Sequence, residues 1–281
     1  MHILRRGTIC VEGNIGCGKT TFLDFFRQKF QTTGEEELIQ GQSIIAEPVE
    51  KWRNVEGENL FHYLYKDPAR YSLAFQTYVQ LTMMKLHMAR PRMMERSIYS
   101  ARYCFVENLF QLNYLSRLEY VILDKWFKHL VLSGRDEDLL DVPKDELKEK
   151  EYALLSKPTG VNLDMIVYLR CKPQKVMDRI KVRSRKEEKD ISIEYIQSLH
   201  DLHENWLMSG KFPVPAPVLV LDTNCKQSSL TKLYEKAAPY LRGEKKLSNS
   251  PTEISINDDE NEDNGDNQTM TNGFHQTTFK L

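Results

Sequence analysis

The run Gly13-Asn14-Ile15-Gly16-Cys17-Gly18-Lys19-Thr20 fits the pattern G-x-x-x-x-G-K-[ST], and its flanks decide what the pattern means. Ahead of it Thr8-Ile9-Cys10-Val11 is a short β-favouring run, and behind it Thr21-Phe22-Leu23-Asp24-Phe25-Phe26 opens a helical pattern free of Gly and Pro. Strand, glycine turn and helix, in that order, form a phosphate site: the glycines let backbone N–H groups point inward, and the helix N-terminus adds partial positive charge. Residues Gly13, Asn14, Ile15, Gly16, Cys17 and Gly18 then supply the cradle. Lys19 is expected to reach the β- and γ-phosphates of a bound di- or triphosphate, and Thr20 to place its hydroxyl on Mg²⁺.

Such a loop belongs beyond the carboxyl end of a strand in a parallel sheet, and the rest of the chain alternates accordingly. Strands are expected at 8–11, 43–46, 165–169 and 218–221, with the apolar pair Met93-Met94 running into Glu95-Arg96-Ser97. Helices are expected to about residue 30, over 69–88, through 115, over 118–131 and after Pro173. This predicts an α/β fold, a doubly wound parallel sheet with helices on both faces and ligands beyond the carboxyl ends of the strands. With 281 residues, 41% of them hydrophobic, the chain can bury one sizeable core. We read 1–241 as the domain, 133–161 as a surface insertion, and 242–281 as an acidic tail too poor in apolar anchors to order itself.

Basic and acidic residues number 39 and 40, a balance that gives no reason to expect a nucleic-acid partner. Five scattered cysteines without a C-x-x-C pair suggest a reducing compartment, and no apolar run is long enough for a membrane. The cytoplasm is the expected location, with mitochondria reached only from a longer N-terminus.

Two further strand ends carry chemistry. Pro48 stops the second strand and leaves Glu47 facing the ligand crevice, where a carboxylate can accept a hydroxyl proton. Glu95-Arg96 closes the next strand with a second carboxylate for a metal and a guanidinium that can hold Glu47 or a transferring phosphoryl group. By contrast His200-Asp201-Leu202-His203-Glu204 has neither order of the helical zinc motifs. Leu199, Leu202 and Trp206 read as the buried stripe there, with the histidines near the surface or in capping contacts.

Taken with Lys51-Trp52-Arg53-Asn54, Gln76-Thr77-Tyr78-Val79-Gln80-Leu81-Thr82-Met83, Ser100-Ala101-Arg102-Tyr103 and Phe105-Val106-Glu107-Asn108, these motifs make the chain resemble the deoxyribonucleoside kinases. The likeness is strongest to the branch of the insect multisubstrate enzymes and mitochondrial thymidine kinase, over roughly 8–132 and 161–222. It implies a homodimer that transfers the ATP γ-phosphate to a deoxyribonucleoside 5′-hydroxyl in nucleotide salvage. Glu47 would be the general base and Arg96 its partner. Gln76 would read the base edge and Phe75 and Phe105 sandwich the base, while Trp52, Val79, Met83 and Ala101 line the pocket. Tyr65 and Glu188 would grip the 3′-hydroxyl. The segment 179–188 looks like the family's arginine-rich lid, with Arg179 against adenine and Arg183 and Arg185 on phosphates; Thr20 and Glu95 would serve Mg²⁺. Relatives that favour deoxycytidine and purines carry Arg and Asp where Met83 and Ala101 stand, so thymidine and deoxycytidine are the expected acceptors, with purines weaker.

The chain departs from the family in Cys17, where serine is usual, in Lys125, where an acid is usual, and in the length of 133–161. The rival readings are a thymidylate-type nucleoside monophosphate kinase, which would carry an arginine where Ala46 stands, and a nucleotide-binding regulator without turnover.

Overall fold

The computed structural model describes residues 7–32, 44–132, 161–185, 188 and 191–256. Six parallel strands form one sheet: β1 (Ile9–Glu12), β2 (Ile44–Ile45), β3 (Met93–Glu95), β4 (Met165–Arg170), β5 (Val218–Asp222) and β6 (Thr252–Ile254), in the order β2-β3-β1-β4-β5-β6. The order steps outward in both directions from β1, so β1 and its phosphate loop lie at the switch point where ligands of such sheets bind.

Strand periodicity divides the core in two. Cys10, Ile166, Tyr168, Val218 and Val220 point to one face, whereas Ile9, Val11, Val167, Leu169, Leu219 and Leu221 point to the other, and all are buried. The first face is covered by α4 (Pro68–Met88), by α7 (Arg117–Leu132), and by a helical run made of α5 (Ile98–Ser100), a π-helical stretch (Ala101–Val106) and α6 (Glu107–Gln111). It is also covered by α9 (Ile193–Leu207), whose Trp206 is wholly buried. The second face holds α1 (Lys19–Thr32), α8 (Pro173–Arg183) and α10 (Leu230–Leu241), which contribute Phe22, Ile180 and Tyr234. Short helices α2 (Val49–Arg53) and α3 (Leu60–Lys66) stand between β2 and α4. Helix α4 begins where Asp67 accepts a hydrogen bond from the Arg70 N–H and Pro68 fills the first turn, a start signal that costs no backbone donor.

Two expectations are corrected. The segment after 241 does not begin as a featureless tail: Thr252–Ile254 pairs with β5, so Val218–Asp222 is not the sheet's edge. Leu247, Ile254 and Ile256 pack on the second core face, enough apolar contact to order a segment whose average composition is polar. The insertion at 133–160 and the chain beyond 256 lie outside the described residues.

The second correction concerns His203, which is buried on α9 rather than near the surface. Its Nδ1 lies 2.6 Å from the Leu199 carbonyl and its ring stacks on Tyr168 at 6.1 Å. Spacing of four and three residues places 199, 203 and 206 on one helix face, so the histidine shares the apolar stripe. Among the described residues no cluster of three or more His, Cys, Asp or Glu could hold a metal. His87 is buried too, its Nε2 accepting from the Ile98 N–H at 3.2 Å.

Burial lowers the pKa of each of these histidines to about 3, helped at His203 by the charge of Arg96. Both are therefore neutral when folded but protonate in the unfolded chain below their ordinary value near 6.5. Stability should fall as pH drops from about 6.5 toward about 3, by up to about tenfold in the unfolding constant per pH unit for each histidine. Urea unfolding followed from neutral pH to about pH 5 checks this, and His87→Gln should flatten the dependence.

Candidate active site

The site is assembled from the ends of β1, β2 and β3. Leaving β1, the chain turns at Gly13 with φ at 139°, and a Cβ there would lie 2.7 Å from the Leu169 carbonyl oxygen and 2.8 Å from Cys17 Sγ. Only glycine fits that turn. The Asn14 amide donates to the Ile196 carbonyl at 2.8 Å, fastening the loop to α9. Lys19 is buried and folds back over the loop, with Nζ 2.8 Å from the Asn14 carbonyl and 3.2 Å from that of Gly13. Cys17, which stands where serine is usual, is only 1% exposed beneath the loop.

Glu47 follows β2, and Pro48 turns the chain into α2. Its Oε1 meets Arg96 Nε at 3.1 Å, as an ion pair rather than a directed hydrogen bond. Arg96 follows β3 in a left-handed conformation with φ at 60°, a state that costs a non-glycine residue about 1–3 kcal/mol and persists only when neighbours enforce it. Here its N–H donates to the Val11 carbonyl at 3.0 Å, Nη1 donates to the Gly13 carbonyl at 3.0 Å, and the guanidinium lies 4.6 Å from the centre of the Phe105 ring. Burial works against the charge on Arg96, but Glu47, Glu12 and Glu95 more than offset it and hold the guanidinium charged. Burial likewise raises the Glu47 pKa, against the pull of Arg96 and with the repulsion of Glu95. Thr20 Oγ1 donates to Glu95 at 3.1 Å, so the first turn of α1 and the end of β3 present a hydroxyl and a carboxylate side by side.

Two cavities meet on this floor. The first, about 230 Å³, runs from Glu47, Arg96 and Lys19 between α2, α3, α4 and the π-helical stretch. Its walls include Trp52, Tyr65, Phe75, Gln76, Val79 and Met83, together with Ala101, Phe105 and Glu188, so the expected acceptor residues are brought together. Trp52 Nε1 donates to Thr82 Oγ1 at 2.9 Å, which satisfies its polar end and leaves an apolar wall. Gln76 is buried, and its Oε1 has no hydrogen-bond partner. Arg102, beside Ala101, turns away to Asp124, Tyr120 and Glu107. The second cavity, about 340 Å³, is lined by Gly18, Arg179, Gln227 and Tyr234, and shares Gly16, Lys19, Thr20, Glu95, Arg183 and Arg185 with the first.

The 179–188 segment is divided in its contacts. Arg179 is tied to the Cys17 carbonyl at 3.0 Å and the Thr223 carbonyl at 2.9 Å, making it a fixed wall of the second cavity. Arg183 donates to both oxygens of Glu188, at 2.5 and 2.6 Å, and Arg185 reaches the same carboxylate at 3.5 Å. Glu188 thus faces two arginines in the cleft that also holds Tyr65, whose hydroxyl pKa is raised by burial and by Tyr195, Glu188 and Glu47.

Sequence reading missed Phe61, which stacks on Phe75 at 5.7 Å, and Tyr195, whose hydroxyl burial pushes up to about 12. Both line the first cavity. The Asn59 cap with Leu60 and Leu64 four apart marks α3, and would have placed Phe61. The Ser192 cap, whose side chain accepts from the Tyr195 N–H at 3.2 Å, marks the start of α9 in the same way.

The family model for deoxynucleoside kinases matches residues 9–140 and 135–238. The chain is 40% identical over 237 residues to "Thymidine kinase 2, mitochondrial" of Macaca fascicularis, covering 83% of this chain and 76% of the relative. It is 32% identical over 248 residues to "Deoxycytidine kinase 2" of Gallus gallus, with 77% and 82% covered. With "Deoxyguanosine kinase, mitochondrial" of Xenopus laevis the identity is 30% over 223 residues, 71% and 72% covered. These relatives support the mitochondrial thymidine kinase side of the expected likeness and not specifically the insect multisubstrate side.

The turn at Gly13 gives a direct test of the loop. Gly13→Ala should cost about 1–3 kcal/mol of stability through its positive φ and the blocked Cβ position, and should abolish ATP binding. Thermal unfolding with and without ATP checks both: the variant should melt lower and should not be stabilised by ATP.

Proposed function

The chain belongs to the deoxynucleoside kinase family, and from that premise we propose that it transfers the γ-phosphoryl group of ATP to the 5′-hydroxyl of deoxyribonucleosides, thymidine and deoxycytidine above purines. The observation that carries this reading is Glu47, ion-paired to Arg96 at the junction of an apolar cavity with the phosphate loop. In the reaction Glu47 accepts the 5′-hydroxyl proton as the new O–P bond forms and the bond from the γ-phosphorus to the β-bridging oxygen breaks, releasing ADP. Arg96, Lys19, Arg183 and Arg185 set fixed positive charge around the transferring group, where negative charge spreads over its oxygens. Thr20 and Glu95 offer hard oxygen donors, the set that suits Mg²⁺, and would hold it; such an ion supplies charge neutralisation at the phosphates.

In this reading Gln76 uses its unpartnered amide on the base edge, and Phe75 and Phe105 flank the ring. Tyr65 and Glu188 receive the 3′-hydroxyl, and residues 179–188 act as the lid. Met83 and Ala101 leave that end of the pocket uncharged, with room for the thymine methyl. A homodimer fits the exposure of Leu81 and Met88 on α4 and of Leu118 and Trp126 on α7, four large apolar side chains on two packed helices. All five cysteines are buried and free, which suits the reducing cytoplasm of our reading. Among the described residues no helix is long and apolar enough to cross a membrane.

A panel of the four deoxyribonucleosides and thymidylate, each offered with ATP, tests the assignment through ADP release. Thymidine and deoxycytidine should drive release, and thymidylate should not. Preference for thymidylate would instead select the monophosphate kinase reading, and ATP binding with no acceptor-dependent release the regulator. Glu47→Gln should lower kcat by about a hundred- to ten-thousand-fold while thymidine still binds.

The pH dependence follows from the sign of the Glu47 shift. A base must be ionised, and burial raises the pKa of this one, so kcat/KM should climb through a midpoint above the ordinary glutamate value of about 4.3. That acid limb should vanish in Glu47→Gln.

A further inference from the structure

One buried acid near the site has no part in the transfer described above. Glu12 ends β1, immediately before the phosphate loop, and none of its surface is exposed. Its Oε1 accepts from Ser97 Oγ at 2.6 Å and from Cys10 Sγ at 3.2 Å, while Oε2 has no hydrogen-bond partner. Burying a carboxylate this far costs more than burying an amide of the same shape, and two hydroxyl or thiol donors would serve a glutamine carbonyl as well. Stability alone gives no reason for an acid here.

The geometry around it gives one. Ser97 directly follows Arg96, whose left-handed backbone turns the chain from β3 into α5. On one side that residue is held by its own N–H on the Val11 carbonyl. On the other, the Ser97 hydroxyl donates to Glu12 while accepting the Ser100 N–H at 3.3 Å. Val11 and Glu12 are consecutive, so the end of β1 grips both flanks of the strained residue. Burial raises the Glu12 pKa, and the Arg96 guanidinium, with the Ser97 and Cys10 hydrogen bonds, pulls it back toward the charged form; the Arg96 Nη1 itself rests on the carbonyl of the very next residue, Gly13.

We propose that Glu12 is a positioning residue for phosphoryl transfer: through Ser97 it locks the left-handed turn at Arg96, and its charge is a standing second counter-ion for that guanidinium. The second role matters because Glu47, the first counter-ion, loses its charge when it takes the hydroxyl proton. At that moment, without Glu12, Arg96 would keep only Glu95, which is engaged with Thr20, and would be freer to be drawn toward whichever anion is nearest. Glu12, sealed from solvent and substrate, keeps its place throughout the cycle and holds Arg96 over the Gly13 carbonyl.

The inference rests on Arg96 acting in the transfer step, and a kinetic cycle separates the two claims. kcat and KM for thymidine and ATP are measured for the wild type, Glu12→Gln, Arg96→Ala and the double variant. Glu12→Gln keeps an acceptor for Ser97 and removes the charge. It should lower kcat about ten- to hundred-fold with both KM values within about threefold, and should change kcat less than about threefold when Arg96 is already absent. Full activity in Glu12→Gln, or effects of the two substitutions that multiply independently, would overturn the role given to Glu12 alone. A wild type without turnover, or Arg96→Ala at the full rate, would overturn the transfer reading and this inference with it. Should Glu12→Gln fail to fold, judged by its melting transition and ATP binding, Ser97→Ala takes its place in the cycle under the same criteria for kcat and non-additivity.

Discussion

Everything in the cleft is organised around one strained residue. Arg96 leaves β3 with a positive φ, and that turn lets a single guanidinium meet the carboxylate after β2, the carbonyl opening the phosphate loop and the face of Phe105. The parallel pairing of β1 with β3 makes the strain bearable: Val11 sits opposite Glu95 in the register, so its carbonyl is available for the Arg96 N–H. Fold and site are thus coupled at the level of strand register, because a slip of one residue would remove both the backbone bond and the charge contact.

The motifs at the strand ends were legible because short-range chemistry dictates them. A glycine pattern between strand and helix, a Pro after an acid, and an acid-base pair closing an apolar run each announce a local structure, and all three converge where they were expected. Position 12 was invisible by the same logic: a glutamate ending a strand reads as an ordinary boundary residue, and only the register with β3 shows it sealed beneath Ser97. The left-handed state of Arg96 has no signature in residue type. Helix α9 was read as a stripe of Leu199, Leu202 and Trp206, and the histidine on that stripe was put outside it on polarity alone. Strand β6 was lost for a related reason, since composition averaged over a long polar segment hides three anchoring side chains.

The π-helical stretch shows how backbone form serves the cleft. A helix widened between Ala101 and Val106 carries Ala101 and Phe105 to the cavity wall while Arg102 turns back into a network with Asp124, Tyr120 and Glu107. The Arg102 charge is thereby spent on internal contacts instead of the pocket. Such widened turns are rare and recur at functional sites, where they re-aim side chains that regular helical spacing would misplace.

The contacts of Glu188 bear on how the two cavities communicate. Its carboxylate is saturated by Arg183 and touched by Arg185, and those arginines belong to both cavities, whereas Glu188 belongs to the first alone. Phosphates arriving in the second cavity would compete with Glu188 for the guanidinium groups, and a hydroxyl arriving beside Tyr65 would compete with the guanidinium groups for Glu188. Each ligand would therefore loosen the contact that opposes the other, so occupancy of either cavity should favour occupancy of its neighbour. Reciprocity follows from thermodynamics: whatever factor one ligand contributes to the other's affinity is returned in equal measure. On the proposed reading, an ion pair across the cleft would in this sense be a latch between two sites, weak enough at a partly exposed position to be exchanged for substrate contacts.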